Sequence, residues 1–285
     1  MKENKNKKER YSYSKLGTYH NCPFSYKLIY QDHVKRTNGC YGLCGSLLHS
    51  IMESLEHGEV TKEEALYRWH TEIDILEFAD ELNFPTDNAK NNYIKDVELY
   101  LEYFEPLDFT NKECLIEQEF EIELCGITIM GYIDLAILDH EKKEITIVDY
   151  KTSSKSGFTK AHLVEKCHQL MLYSKAREIN YPGYKIVETK FDMVKYAKKK
   201  GKTTVKERRD IPLEEMGDYE RYFISIPFNE ENYKVFEDYV KDSLENINNA
   251  KELDEWEPEK NAFFCKNLCG VSGECKYYNK KIINK

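Results

Sequence analysis

GYIDLAILDHEKKEITIVDYK, Gly131 to Lys151, is the stretch that decides the fold. Two runs with strand character, Ile127 to Leu138 and Glu144 to Lys151, flank the polar hinge DHEKK, which predicts an antiparallel pair. Asp134 lies in the first run and Asp149 in the second, among β-branched and apolar neighbours where a carboxylate without a partner is costly. Alternation along a strand puts Asp149 and Lys151 on one face and Val148 and Tyr150 on the other. Two carboxylates and a lysine can therefore converge at one sheet edge. Such an arrangement holds a hard divalent cation beside a positive charge and suits cleavage of a phosphodiester. The competing reading of Asp-x-Lys is a surface ion pair worth little, so the rest of the chain carries the decision.

Immediately upstream, CLIEQEFEIELCGITIM from Cys114 alternates, with Phe120, Ile122 and Leu124 facing one way and Glu117, Glu119, Glu121 and Glu123 the other. This predicts a third strand and a meander; most of these glutamates belong to a solvated face, with Glu117 or Glu119 placed to approach a metal site. Downstream, the polar loop TSSKSGFTK leads into a helix from about Ala161 to Ile179 that buries Leu163, Val164, Cys167, Leu170, Met171 and Ser174. Gln169 and Tyr173, one turn apart, form a polar pair on an adjacent face. A strand over Lys185 to Tyr196, a strand over Tyr222 to Ile226 and a long amphipathic helix over Glu230 to Leu253 follow. Between them, KKKGKTTVKERR supplies Lys198, Lys199, Lys200, Lys202, Lys206, Arg208 and Arg209. In a chain of net charge −9 this run stands out as a candidate phosphate contact.

Toward the N-terminus, residues 1–10 carry five basic and two acidic side chains and no apolar anchor, which predicts a mobile basic tail. Ser14 is placed to cap a short helix over Lys15 to His20, and Pro23 sits in the first turn of the next. Gly45 to His57 reads as an amphipathic helix burying Leu47, Leu48, Ile51 and Leu55, with His49, Met52, Glu53 and Glu56 on a neighbouring face. There Glu53, one turn on, can orient the His49 imidazole. Helices over Lys62 to Ala79 and Thr86 to Phe104 bring no chemistry of their own. The chain has 285 residues, with 22 Tyr and 13 Phe, which excludes disorder throughout. No apolar run reaches bilayer length and the start lacks a signal-peptide core, which predicts a cytoplasmic protein with no membrane partner.

Nine cysteines in such a chain point to metal ligands or buried thiols rather than disulfides. Cys265, Cys269 and Cys275 follow the spacing C-x3-C-x5-C, a metal site short of one ligand. Zinc sites usually arrive as two short pairs, whereas three clustered thiols plus a distant fourth fit a [4Fe-4S] cluster. Cys22, in a Cys-Pro context near the other terminus, is the favoured fourth ligand, with Cys40 and Cys44 competing.

The order of Gly45 and His49, Gly131 and Asp134, Asp149 and Lys151, Gln169 and Tyr173 resembles the RecB-like branch of the PD-(D/E)XK nuclease superfamily. The lone upstream cysteine and the terminal triplet are similar to its iron–sulfur members. The resemblance implies that His49, Asp134, Asp149 and the Tyr150 carbonyl bind Mg2+ or Mn2+. It also implies that Lys151 positions or deprotonates the attacking water, and that Gln169 and Tyr173 hold the DNA backbone or Lys151. The cluster would tie the two ends of the chain together beside the DNA. No G-x-x-x-x-G-K-[ST] occurs, so the chain carries no helicase ATP site of that kind.

The expected fold is α/β: a mixed central β-sheet flanked by helices, the restriction-endonuclease-like core. It would form one domain over 11–285 with a helical insertion at 58–112 and a cysteine segment at 265–275. The expected function is a metal-dependent DNA nuclease, an exonuclease on single strands or duplex ends, in phage or CRISPR-type recombination, repair or adaptation, with proteins of those pathways as partners. The rivals are a catalytically silent iron–sulfur DNA-binding subunit and a zinc-stabilised protein–protein module.

Overall fold

The computed structural model describes residues 9–107, 109–153, 158, 163–196, 198–199 and 219–278. Its centre is strand β3 (Ile127–Asp139), the second run of the meander β2 (Glu113–Leu124), β3, β4 (Glu144–Lys151). One edge of β3 is covered by β2 from Leu124↔Ile127 to Glu113↔Leu138, antiparallel throughout. The other edge is shared. β4 takes Leu135 to Asp139, antiparallel, and the short β1 (Arg10–Tyr11) takes Thr128 and Ile129, parallel. Met130 to Asp134 lie between these two partners.

β5 (Lys185–Met193) joins β4 in parallel and β8 (Phe223–Ser225) closes the sheet antiparallel to β5, giving six strands in all. The sheet is mixed, as expected. A separate two-stranded ribbon pairs β6 (Lys198–Lys199) with β7 (Tyr219–Glu220).

Helices cover both faces. α1 (Tyr13–Asn21), α2 (Pro23–Tyr30), α7 (His168–Asn180) and α8 (Glu230–Leu253) share one core with Ile129, Ile133, Ile145 and Ile147 of the sheet. α3 (Cys40–Glu56), α4 (Lys62–Phe78) and α5 (Asp87–Glu102) build a second core around Leu48, Ile51, Trp69 and Tyr100, and Tyr150 of β4 reaches into it. In α3 the buried positions 40, 44, 48, 51, 52 and 55 follow the helical repeat, so Met52 belongs to the core and not to the polar face expected for it. α4 opens with a capping box between Thr61 and Glu64, and α8 with Asn229 as cap and two glutamates in its first turn.

Several expectations change in detail. The cap of α1 is Ser12, whose hydroxyl accepts from Lys15 N at 3.1 Å, rather than Ser14. The tail gives way before residue 10: Arg10 pairs in β1, and Glu9 bridges Lys15 and Lys251. The helix after the loop is broken at Cys167 into α6 (Leu163–Lys166) and α7, and Lys185 to Tyr196 ends as a 3-10 turn from Val194. Residues 1–8, and Lys200, Lys202, Lys206, Arg208 and Arg209 of the basic run, lie outside the described residues.

The C-terminal segment, containing α9 (Ala262–Asn267), returns to the start of the chain. Thr37 donates both its backbone N–H and its hydroxyl to Gly270 O, at 2.9 and 3.0 Å. A Cβ on Gly270 would stand 2.4 Å from Thr37 O, a backbone atom that cannot swing aside. Gly270→Ala is therefore expected to destabilise the fold by about 1–3 kcal/mol, read as a lower melting temperature.

Candidate active site

The β3–β4 ladder stops at Leu135↔Val148. Beyond it the strands part, and the next backbone donor of β4, Tyr150 N–H, is taken by Asp134 Oδ2 at 2.8 Å. Tyr150 O pairs with His49 Nε2 at 3.1 Å. The Tyr150 phenol, on the other side of the strand, donates to Glu56 Oε1 at 2.5 Å, two turns along the helix that carries His49. One residue thus fixes the registration of α3 on β4 and holds two candidate ligands, while Asp149 and Lys151 flank it.

Glu117 completes the group. It lies opposite Asp134 in the β2–β3 register, between the pairs Ile116↔Leu135 and Gln118↔Ile133, with φ of 46°. The sheet changes phase at this pair: Phe120, Ile122, Ile129 and Ile133 face the main core, whereas beyond it Leu115, Ala136 and Leu138 do. Ile116, Leu135 and Ile137 turn to a small third cluster. A left-handed glutamate is conformationally costly, and such strain concentrates at functional sites. His49 Nδ1 stands 3.5 Å from Asp134 Oδ2 and 3.8 Å from Glu117 Oε1. Ligand atoms of His49, Glu117 and Asp134 all lie within 4.8 Å of one another. The imidazole is thus oriented by Tyr150 O and these two carboxylates, the part expected of Glu53.

Asp149 is fully buried. Lys151 Nζ lies 2.6 Å from its Oδ2, an ion pair rather than an aligned hydrogen bond, and Oδ1 receives no hydrogen bond among the described residues. Lys151 Nζ also donates to Gln169 Oε1 at 2.8 Å, and Gln169 Nε2 to the Tyr173 hydroxyl at 2.5 Å. The Gln169–Tyr173 pair therefore holds the lysine.

These residues fit a divalent cation. His49, Glu117 and Asp134 bring one imidazole and two carboxylates, hard or borderline donors, within 4.8 Å of one another; Asp149 lies outside that group, and its buried oxygens accept no hydrogen bond among the described residues. Burial, then the Asp149 charge, pushes the Asp134 carboxyl up to about 7 against the pull of His49 and Lys151. Burial works against a charged imidazole, but Glu117, Asp134 and Asp149 outweigh it and raise His49 to about 8.

His49, Glu117, Asp134, Gln169 and Tyr173 line a cleft of about 1690 Å³ between α1, α3, the sheet, α7 and α8. Cys22, Cys265, Cys269 and Cys275 line a separate cavity of about 880 Å³. Cys40 and Cys44 are buried in the second core instead. Cys22 Sγ accepts the N–H groups of Ser25 and Glu259, each at 3.3 Å. Lys198 and Lys199 are described only as backbone in β6.

The sequence pattern of the PD-(D/E)XK nuclease superfamily matches residues 10–276, and the chain belongs to that superfamily. The Gene 69 protein of Mycobacterium phage D29 is 29% identical over 172 residues, 51% of this chain and 63% of that protein, so the match spans less than two thirds of the relative. A solved candidate exonuclease from Eubacterium rectale aligns at 13% identity and a TM-score of 0.49, over 93% of this chain and 87% of that one.

Among the described residues no helix is long and apolar enough to cross a membrane. Because a cation displaces protons from Asp134 and His49, Mn2+ affinity is expected to rise with pH from about 6 to 8 and to flatten above, with proton release on binding. Calorimetric titration in two buffers of different ionisation enthalpy measures both.

Proposed function

We propose that the protein is a metal-dependent DNA nuclease of the RecB-like branch, an exonuclease acting on single strands or duplex ends. The observation that carries this reading is the convergence on one strand, around Tyr150, of a candidate cation site and a clamped lysine. In it His49, Asp134, Asp149, Glu117 and the Tyr150 carbonyl hold Mg2+ or Mn2+, which supplies Lewis acidity at the phosphoryl oxygen. Lys151, fixed between Asp149 and Gln169, orients the attacking water and neutralises charge developing on the phosphate. Tyr173 keeps Gln169 turned toward the lysine. The basic run from Lys198 to Arg209 is assigned to the DNA backbone on its charge alone.

The reading includes a [4Fe-4S] cluster on Cys22, Cys265, Cys269 and Cys275. It is supported by the shared cavity and by the N–H groups aimed at Cys22 Sγ, since such hydrogen bonds are characteristic of cluster thiolates. The cluster would join the N-terminal helices to the C-terminal segment in a structural role. A relative from a phage supports a phage setting, in which recombination, repair or CRISPR-type adaptation proteins are the partners.

End-labelled single-stranded and duplex DNA, with closed circular DNA beside them, tests the activity. Cutting in Mn2+ or Mg2+ but not in EDTA, sparing of the circle, and a rate at least about 100-fold lower in Lys151→Ala are expected. Activity that survives in Lys151→Ala contradicts the assignment. For the cluster, anaerobically purified protein is expected to be brown, with iron and labile sulfide in equal amounts, and Cys22→Ser to lose both. A colourless protein holding zinc contradicts it.

A further inference from the structure

The cleft that holds the candidate active site has a second wall, built from α1, the start of α7 and α8, with a different chemistry. Tyr239 of α8 is packed between two imidazoles. His20 stacks on it at a centroid distance of 4.4 Å and an interplanar angle of 22°, and His168 lies at 4.4 Å, tilted by 41°. Tyr13 approaches the same ring at 6.3 Å.

The His20 ring is held in place. Ser243 Oγ donates its proton to Tyr239 O at 2.5 Å, so in the 2.8 Å contact between Ser243 Oγ and His20 Nε2 the imidazole is the donor. Burial lowers the pKa of His20, against the opposing pull of Asp242. Tyr19 approaches the ring edge-on, and the residue as a whole is exposed on the cleft. A pinned aromatic ring is therefore presented to the cleft at one end of a ring stack.

This wall is tied to the reaction centre. His168 immediately precedes Gln169, which holds Lys151. Its charges also set which side of a nucleic acid can face it. Asp242 of α8 lies beside the stack and repels phosphates, yet a carboxylate accepts hydrogen bonds from the exocyclic amines of bases; Asp238, one turn before it, is ion-paired with Lys234. Cationic Arg36 and Lys166 line the cleft elsewhere, where a phosphate backbone is tolerated.

We propose that the Tyr239–His20 stack is a subsite for an unpaired nucleobase of the strand whose backbone passes the Asp134–Lys151 centre. A base within a duplex has both faces covered by its neighbours and its pairing edge used, so the subsite selects single strands or frayed ends. The proposal rests on the nuclease reading and adds the substrate state that the cleft accepts.

The test is fluorescence anisotropy in EDTA, where nothing is cut, using the full chain, a labelled single-stranded oligonucleotide, the same strand with its bases removed in the central stretch, and a blunt duplex. The intact strand is expected to bind at least about tenfold more tightly than the abasic one. His20→Ala is expected to erase most of that difference without altering abasic binding, while His20→Phe, which retains a stacking face, restores it. Thermal melting of each variant establishes that it is folded; should His20→Ala fail to fold, the wild-type comparison and His20→Phe decide.

Equal affinity for intact and abasic strands, or an equal loss by His20→Ala on the duplex, overturns the subsite. Metal-dependent cutting that requires Lys151, found together with that result, leaves the nuclease reading standing. A wild type that neither binds nor cuts DNA removes both.

Discussion

The end of the β3–β4 ladder is the constraint on which the site depends. Past Leu135 and Val148 the strands diverge, and the backbone of Tyr150 loses its sheet partner on that edge. A buried peptide N–H without a partner is costly, and here the Asp134 carboxylate takes it while His49 takes the carbonyl. The requirement to satisfy one peptide group thereby draws a carboxylate from β3 and an imidazole from α3 to a single point. The phenol of the same residue, bonded to Glu56, fastens that helix from the other side of the sheet. β5 holds the far edge of β4 through Lys151↔Met193, so the strand that carries Asp149, Tyr150 and Lys151 is anchored on that side.

The arrangement is electrostatically expensive. Burial, and then the nearby Asp149 charge, disfavours ionisation of Asp134, and Lys151 with its single charge cannot balance Asp134, Asp149 and Glu117 together. Protonation of Asp134 and a charged His49 are how the protein alone lowers that cost, and a divalent cation achieves the same end without the protons. Beneath the site, Asp192 Oδ2 receives Arg221 Nε and the Tyr100 hydroxyl, while Asp192 Oδ1 and Arg221 Nη2 make no hydrogen bond among the described residues. The charge of Asp192 is met by the Arg221 guanidinium at close range.

The strands of the meander, α8 and the order of the candidate residues were legible because each rests on a local pattern: period-two alternation, the helical repeat, or residue types at fixed spacing. That His49, Asp134, Asp149, Lys151, Gln169 and Tyr173 belong together was implied by the family resemblance, and tertiary contacts bring them around one strand. What was hidden depends on tertiary contacts. Alternation singled out Glu117 or Glu119 as near the metal site without deciding between them, and the left-handed φ and the phase change opposite Asp134 pick out Glu117. β1 has two residues and exists because β3 offers a free edge at Thr128 and Ile129. Met52 was misassigned because α3 is covered by α4 and α5, which widens its buried face beyond a single stripe. The stack of His20, Tyr239 and His168 joins three elements far apart in sequence, and no local signal links them.

The most direct test of the central claim is an anomalous difference map from crystals soaked in Mn2+. The account predicts a peak within about 2.0–2.6 Å of ligand atoms from His49, Asp134 and Asp149, beside Tyr150 O and within reach of Glu117. A map with no peak at this point, or with manganese held by other residues, would contradict it.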